Sequence, residues 1–304
     1  MNYADRLQQA IDQRGNACLV GLDPILDLLP PEFAAARDVA RTRAERAQAL
    51  GDFCCEVIDV VAGRIPAVKP QSAFFEALGS DGVRQFERIV ATARNAGLLV
   101  IADVKRGDIA STAEAYAHAF LGGVAGVHAD ELADAVTLSP FLGSDSIGPF
   151  LEICKRTGRG CYVLVRTSNK GSADFQRHGS PELSFHVADA VVKWGAELVG
   201  ECGLSSVGAV VGATHGAELA SFRERMPRTP FLLPGYGAQG AGAKDVVGAF
   251  LPTSGAPRGA LVNSSRGILF AHREPRYAGK SWKDATRAAL DAMIQDLGAA
   301  LGAR

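Results

Sequence analysis

Residues 98–112, LLVIADVKRGDIAST, bring together side chains whose types and spacing could do chemistry. Five apolar residues, 98–102, read as a buried strand that runs into Asp103, Lys105 and Asp108. Side chains alternate along a strand, so Asp103 and Lys105 project to one side, about 7 Å apart along the backbone. A D-x-K triplet alone is often a solvated ion pair at a strand end. Here a second lysine, Lys69, follows four uncharged residues in another strand candidate, 65–69. Burying a lysine is costly unless it faces a polar pocket or a carboxylate. Asp108 lies past Gly107, where the chain has to leave the strand, so its carboxylate need not reach the same pocket within one subunit.

The elements that must position these groups alternate along the chain. An opening helix over 3–14 ends at Gly15 and leads into the strand of ACLVGLDP, with Asp23 at its tip. Residues 25–40 carry a Pro-Pro break and read as an insertion with a short helix. Helical apolar spacing then covers 42–62 and 81–96, and another helix begins near Ser111. Further strands are expected at 135–138, 161–166, 207–211, 231–233 and 259–262. Helices are expected at 147–155, 181–195 with Pro181 near the first turn, 215–225, 243–249 and 282–301. Eight strand-helix units with helical crossovers predict an α/β fold, a single (β/α)8 barrel domain over residues 1–304 with an N-terminal helix and an insertion after strand 1.

Such barrels do chemistry at the C-terminal ends of their strands and commonly bind phosphate after strands seven and eight. Those ends carry Asp23, Lys69, Asp103 with Lys105, and then Arg166, Thr167, Ser168 and Asn169. Strand seven runs into PGYGAQGAG and strand eight into NSSRG. Glycine lets backbone N–H groups approach an anion, Gln239 adds a side-chain donor, and Arg266 offers the planar fork that suits phosphate oxygens. A phosphomonoester is the ligand class these loops predict.

Composition narrows the field. The chain of 304 residues has 32 basic and 33 acidic side chains spread along it, for a net charge of −1, which predicts neither a nucleic-acid nor a membrane surface. No apolar run approaches the roughly 20 residues a membrane helix needs, and the N-terminal segment is charged and amphipathic, so a cytoplasmic location is expected. Six cysteines without C-x-x-C spacing read as reduced core residues, and six histidines form no ligand cluster, so no metal site is expected.

The combination of ADVKRGDIAST with Lys69 on the preceding strand, GLDP, PGYGAQG and NSSRGI resembles the orotidine 5′-phosphate decarboxylase family. The insertion after Asp23 and the KPQSAFFE and RTSN stretches resemble its longer bacterial branch, type 2. The likeness spans residues 18–268. The D-x-K-x-x-D-I segment is shared with a wider group of barrel enzymes, and the other four matches make the resemblance specific. One position departs from the family pattern: Lys170 stands where proline would be expected.

What the resemblance implies is cofactor-free conversion of orotidine 5′-phosphate to UMP and carbon dioxide, the last step of UMP synthesis. By that likeness Lys69, Asp103, Lys105 and Asp108 form an alternating charge array around the departing carboxylate, with Lys105 as proton donor. Asp108 and Thr112 would come from the partner subunit of a homodimer whose sites are shared across the interface. Asp23 and Thr112 would hold ribose hydroxyls, Thr167 or Ser168 the pyrimidine edge, and Gln239 with Arg266 the phosphate. Loss of carbon dioxide leaves a poorly delocalised carbanion at ring carbon C6, and an ammonium between carboxylates stays cationic to meet it. Two rivals are a metal-dependent sugar-phosphate decarboxylase or aldolase of the same suprafamily and a non-catalytic phosphate-binding barrel.

Overall fold

Eight short apolar runs close on one another as parallel strands: β1 (Cys18–Leu22), β2 (Ala67–Pro70), β3 (Leu99–Arg106), β4 (Ala135–Leu138), β5 (Gly160–Arg166), β6 (Val207–Val211), β7 (Phe231–Leu233) and β8 (Ala260–Ser264). Each pairs with the next, and β8 returns to β1 through Cys18 opposite Val262, which makes an eight-stranded barrel. The structure is a computed structural model and describes residues 1–213, 216–237 and 240–302. Most strand residues are buried on both faces, as helices outside and packed side chains inside require.

The helices are α1 (Tyr3–Arg14), α2 (Arg43–Val61), α3 (Ser72–Glu76), α4 (Gly79–Asn95), α5 (Ala110–Ala117), α6 (Ser144–Thr157), α7 (Leu183–Gly195), α8 (Gly216–Arg225), α9 (Ala243–Val246), α10 (Arg266–Leu269) and α11 (Trp282–Gly302). Local chemistry sets several ends. Asn2 with Asp5 and Thr42 with Glu45 form capping boxes for α1 and α2, and Gly15 closes α1 in the left-handed region at φ 66°. The insertion after β1 holds two short helices, both of the 3-10 kind, Leu26–Leu28 and Pro31–Ala36. The helix expected from Pro181 begins at Leu183, because Glu182 is still extended at ψ 149°.

The N-terminal helix closes the bottom of the barrel. Tyr3 packs edge-on against Tyr162 of β5, their hydroxyls 3.1 Å apart. Gly160 makes the approach possible, since a Cβ there would sit 2.4 Å from the Tyr3 ring. Nearby, the buried Asp134 carboxylate accepts hydrogen bonds from Arg6 on α1, Arg94 on α4 and the backbone of Val100. The N-terminal helix is thus tied to the sheet by a satisfied buried charge, and the opposite end of the barrel is left open for chemistry.

Candidate active site

The strand carrying the first motif continues through its charges. The strand runs on through Asp103 and Lys105 to Arg106, just before Gly107, and Lys105 sits in the left-handed region at φ 46°. A lysine held there carries strain of about 1–3 kcal/mol and persists only where its surroundings impose it. As the alternation predicts, Asp103 and Lys105 meet: Lys105 Nζ donates to Asp103 Oδ1 at 2.6 Å. From the neighbouring strand, Lys69 Nζ donates to Asp103 Oδ2 at 2.6 Å.

Two further donors complete the carboxylate. Gln71 Nε2 reaches Oδ2 at 3.0 Å, and the Thr137 hydroxyl donates to Oδ1 at 2.9 Å. Burial by itself would raise the Asp103 pKa, but Lys69 and Lys105 hold it well below the usual carboxylate range. Burial would likewise lower the Lys69 pKa, yet Asp103, with Asp23 beyond it, keeps it above the usual lysine value. Asp103 and Lys69 are 5 % exposed and Lys105 is exposed, so the pair forms a fixed charged floor under a reachable ammonium.

Two cavities meet on that floor, and both are lined by Lys69, Asp103 and Pro234. One, of about 270 Å³, extends past Asp23, Tyr236 and Asn263 to Arg266. The other, of about 420 Å³, passes Lys105 and Thr137 to Thr167, Ser168 and Gln176. Together they make a trough across the barrel mouth with Arg266 at one end, an amide and hydroxyls at the other, and the lysines between.

The first cavity contains acceptors without donors. Asp23 Oδ1 and Asn263 Oδ1 are buried and have no hydrogen-bond partner in the structure. Gly21 leaves room for this arrangement: a Cβ there would lie 2.0 Å from Ser265 Oγ and 2.9 Å from Asn263 Oδ1. The guanidinium of Arg266 makes no hydrogen bond or ion pair among the described residues, and it also borders an adjoining cavity of about 510 Å³. Gly235, Gly237 and Gly240 all have positive φ, so the loop after β7 folds back on itself in a conformation that other residues resist. Tyr236 anchors that loop by donating to Asp296 of α11 at 2.6 Å. Gln239 lies outside the described residues.

At the other end, Gln176 receives the Thr167 backbone N–H at 2.8 Å and donates to its hydroxyl at 2.8 Å. Buried Arg166 braces the same loop through Glu218 at 3.0 Å and Ser172 at 2.9 Å. Lys170 opens a short 3-10 turn, Lys170–Asp174, a first-turn position where proline and lysine are both tolerated.

Asp108 and Thr112 lie elsewhere. Neither lines the trough; Asp108 accepts from the backbone of Ile109 at 2.8 Å, and Thr112 is exposed on α5. Gln71, Thr137, Gln176 and Asn263 are site residues that sequence reasoning missed. Gln71 had a signal, since it stands two residues after Lys69 and so on the same side of the strand. Among the described residues no group of three or more His, Cys, Asp or Glu side chains is placed to hold a metal ion, and no helix is long and apolar enough to cross a membrane.

Comparison with known proteins bears on the whole chain. Residues 26–282 match the model of the "Orotidine 5′-phosphate decarboxylase / HUMPS family". The orotidine 5′-phosphate decarboxylase of Rhodopirellula baltica is 43% identical over 304 residues, covering 98% of this chain and 99% of that one. That of Deinococcus radiodurans is 41% identical over 296 residues, with 97% and 96% covered. Among solved structures, Leishmania donovani OMP decarboxylase superposes with a TM-score of 0.75 at 32% identity, covering all of both chains.

Proposed function

The chain belongs to the orotidine 5′-phosphate decarboxylase family and is a decarboxylase of that kind, and from this premise we propose that Lys105 delivers the proton to C6 as orotidine 5′-phosphate becomes UMP without a cofactor. The observation that carries the proposal is the Lys69–Asp103–Lys105 array, placed where the cavity that reaches Arg266 and a hydroxyl-lined cavity meet. A nucleotide lying along the trough would set its phosphate against Arg266 and Gln239. Its ribose hydroxyls would meet the unpartnered acceptor of Asp23, and its pyrimidine edge Thr167 or Ser168. C6 would then lie above Lys105.

The fourth charge of the array would be Asp108 of the partner subunit, with Thr112 of the partner subunit reaching the ribose. Exposed apolar side chains near these residues support a homodimer. Ile109, Leu142, Phe141 and Phe175 are 51 %, 49 %, 79 % and 66 % exposed, and the two phenylalanine rings lie 6.5 Å apart. Membership of the longer bacterial branch, one working domain over residues 1–304, and a cytoplasmic setting in which six free cysteines stay reduced belong to the same proposal. Neither nucleic acid nor a membrane is a partner in it.

The direct test is the absorbance change of orotidine 5′-phosphate incubated with the purified chain, with and without a chelator. Decarboxylation indifferent to chelator is expected. Loss of activity on chelation would favour the metal-dependent sugar-phosphate relatives, and an unchanged nucleotide would favour a silent phosphate-binding barrel. Sharing of the site has its own test. Inactive Lys105→Ala and Asp108→Ala chains, mixed and allowed to exchange subunits, are expected to regain activity because each heterodimer rebuilds one intact site. Mixtures as inactive as their parents would show that each subunit works alone.

A further inference from the structure

The strain at Lys105 has a specific cause on the neighbouring strand. The β3–β4 ladder pairs Ile101 with Ala135 and Ala102 with Val136, and then resumes at Arg106 opposite Leu138. Asp103, Val104 and Lys105 therefore face a single residue, Thr137, and their backbone cannot follow the regular ladder. The Thr137 hydroxyl takes its place. It accepts the backbone N–H groups of Val104 and Lys105, each at 3.0 Å, and donates to Asp103 Oδ1 at 2.9 Å.

A hydroxyl has one proton and two lone pairs, and here all three are committed within the protein. Because both lone pairs face N–H donors, the proton has to point at the carboxylate. Thr137 is 1 % exposed and β-branched, which fixes its torsion and leaves the hydroxyl little freedom to turn elsewhere. One oxygen thus joins the two things that aim the Lys105 ammonium: the bulged backbone from which its side chain leaves and the carboxylate that receives its nitrogen.

We propose that Thr137 is a positioning residue for decarboxylation, which holds the bulge of β3 so that the Lys105 ammonium is set over the reacting carbon while the nucleotide is bound by other groups. This rests on the reading of Lys105 as the proton donor. Thr137 borders the trough, but its hydroxyl is fully used by Val104, Lys105 and Asp103 and acts through them. Without the hydroxyl the buried N–H of Val104 and the half-buried N–H of Lys105 lose their acceptor, the bulge relaxes, and the nitrogen moves. A displacement near 1 Å is enough to cost about 10²-fold in rate.

The experiment compares Thr137→Val, Thr137→Ser and Lys105→Ala in the full-length protein by steady-state decarboxylation, equilibrium binding of UMP, and thermal midpoint. Thr137→Val is expected to lose about 10²-fold in kcat with KM and UMP affinity changed only a few-fold. Thr137→Ser, which keeps the oxygen, should recover most of the rate. Should the valine protein fail to fold, Thr137→Cys, whose sulfur is a weak acceptor, is expected to show the same loss confined to kcat. Near-normal kcat in the valine or cysteine variant beside an inactive Lys105→Ala protein would overturn the role of Thr137 and leave that of Lys105 intact. Equal loss of UMP binding and kcat, or a serine variant as slow as valine, would also overturn it. An active Lys105→Ala protein would instead remove the reading on which the proposal rests.

Discussion

Replacing Lys105 with alanine is expected to lower kcat on the order of 10⁵-fold while UMP still binds with nearly unchanged affinity. The size follows from two tasks falling on one nitrogen. General acid catalysis contributes about 10²–10⁴-fold, and a preorganised group aimed at developing charge about 10²–10³-fold, so losing both costs several powers of ten. The geometry makes compensation by a neighbour difficult. Lys69, the other nearby cation, is held by Asp103 at 2.6 Å in the barrel floor and is 5 % exposed, whereas Lys105 is the exposed member of the array. Affinity should survive because Asp23 and Arg266, proposed to hold the ribose and the phosphate, lie in the other arm of the trough. Rapid mixing of enzyme in excess over orotidine 5′-phosphate, with single turnovers followed by absorbance, measures the chemical step apart from product release. A variant turning over at close to the normal rate would mean that the proton comes from elsewhere.

The same array limits what ground-state repulsion can contribute. A unit charge on Asp103 facing a substrate carboxylate at 4 Å interacts by about 4 kcal/mol at an effective dielectric of 20. Enzymes at the upper end of catalytic power lower their barriers by roughly 20 kcal/mol or more. Asp103 is moreover surrounded by four donors from Lys69, Gln71, Lys105 and Thr137, which leave it less charge to present to a neighbour. In the proposed mechanism, stabilisation of the carbanion, with binding energy drawn from the distant phosphate, therefore carries most of the acceleration.

Much of this site was legible because charge in an apolar strand is expensive and therefore visible. Lys69, Asp103 and Lys105 stand out from valine, alanine and isoleucine, and the two-residue alternation was enough to put Asp103 and Lys105 on one side. The eight strands were equally readable as apolar runs buried on both faces, although their ends moved by a residue or two. Side chains that also suit a plain strand were not readable. Thr137 in AVTL is an ordinary β-branched residue until the bulge opposite it is known, and no local propensity marks Lys105 for positive φ. α3, at five residues, is too short for a helical period to show. That Asp108 need not reach the pocket of its own subunit could be read from Gly107 at the strand exit, which is a question of chain direction rather than of packing, and Asp108 does not line the trough.

Removing the guanidinium at the far end of the trough tests how remote binding is turned into rate, and Arg266→Ala is expected to reduce kcat/KM by about 10³-fold. Two charge-assisted hydrogen bonds from one planar fork to phosphate, each contributing about 1.5–3 kcal/mol, give a loss of that order. Arg266 is well placed for such a role because its guanidinium engages no side chain among the described residues and is exposed where two cavities adjoin. Guanidinium ion added to the variant should restore part of the activity, since truncation leaves a gap open to solvent beside the bound phosphate. A substrate lacking the phosphate supplies the control. The natural and variant proteins should process orotidine at nearly the same slow rate, because the arginine has nothing to hold. If the variant instead handles orotidine 5′-phosphate as well as the natural protein does, phosphate is bound by other groups. If the loss appears equally with orotidine, Arg266 acts on the shape of the loops after β7 and β8 and not on the anion.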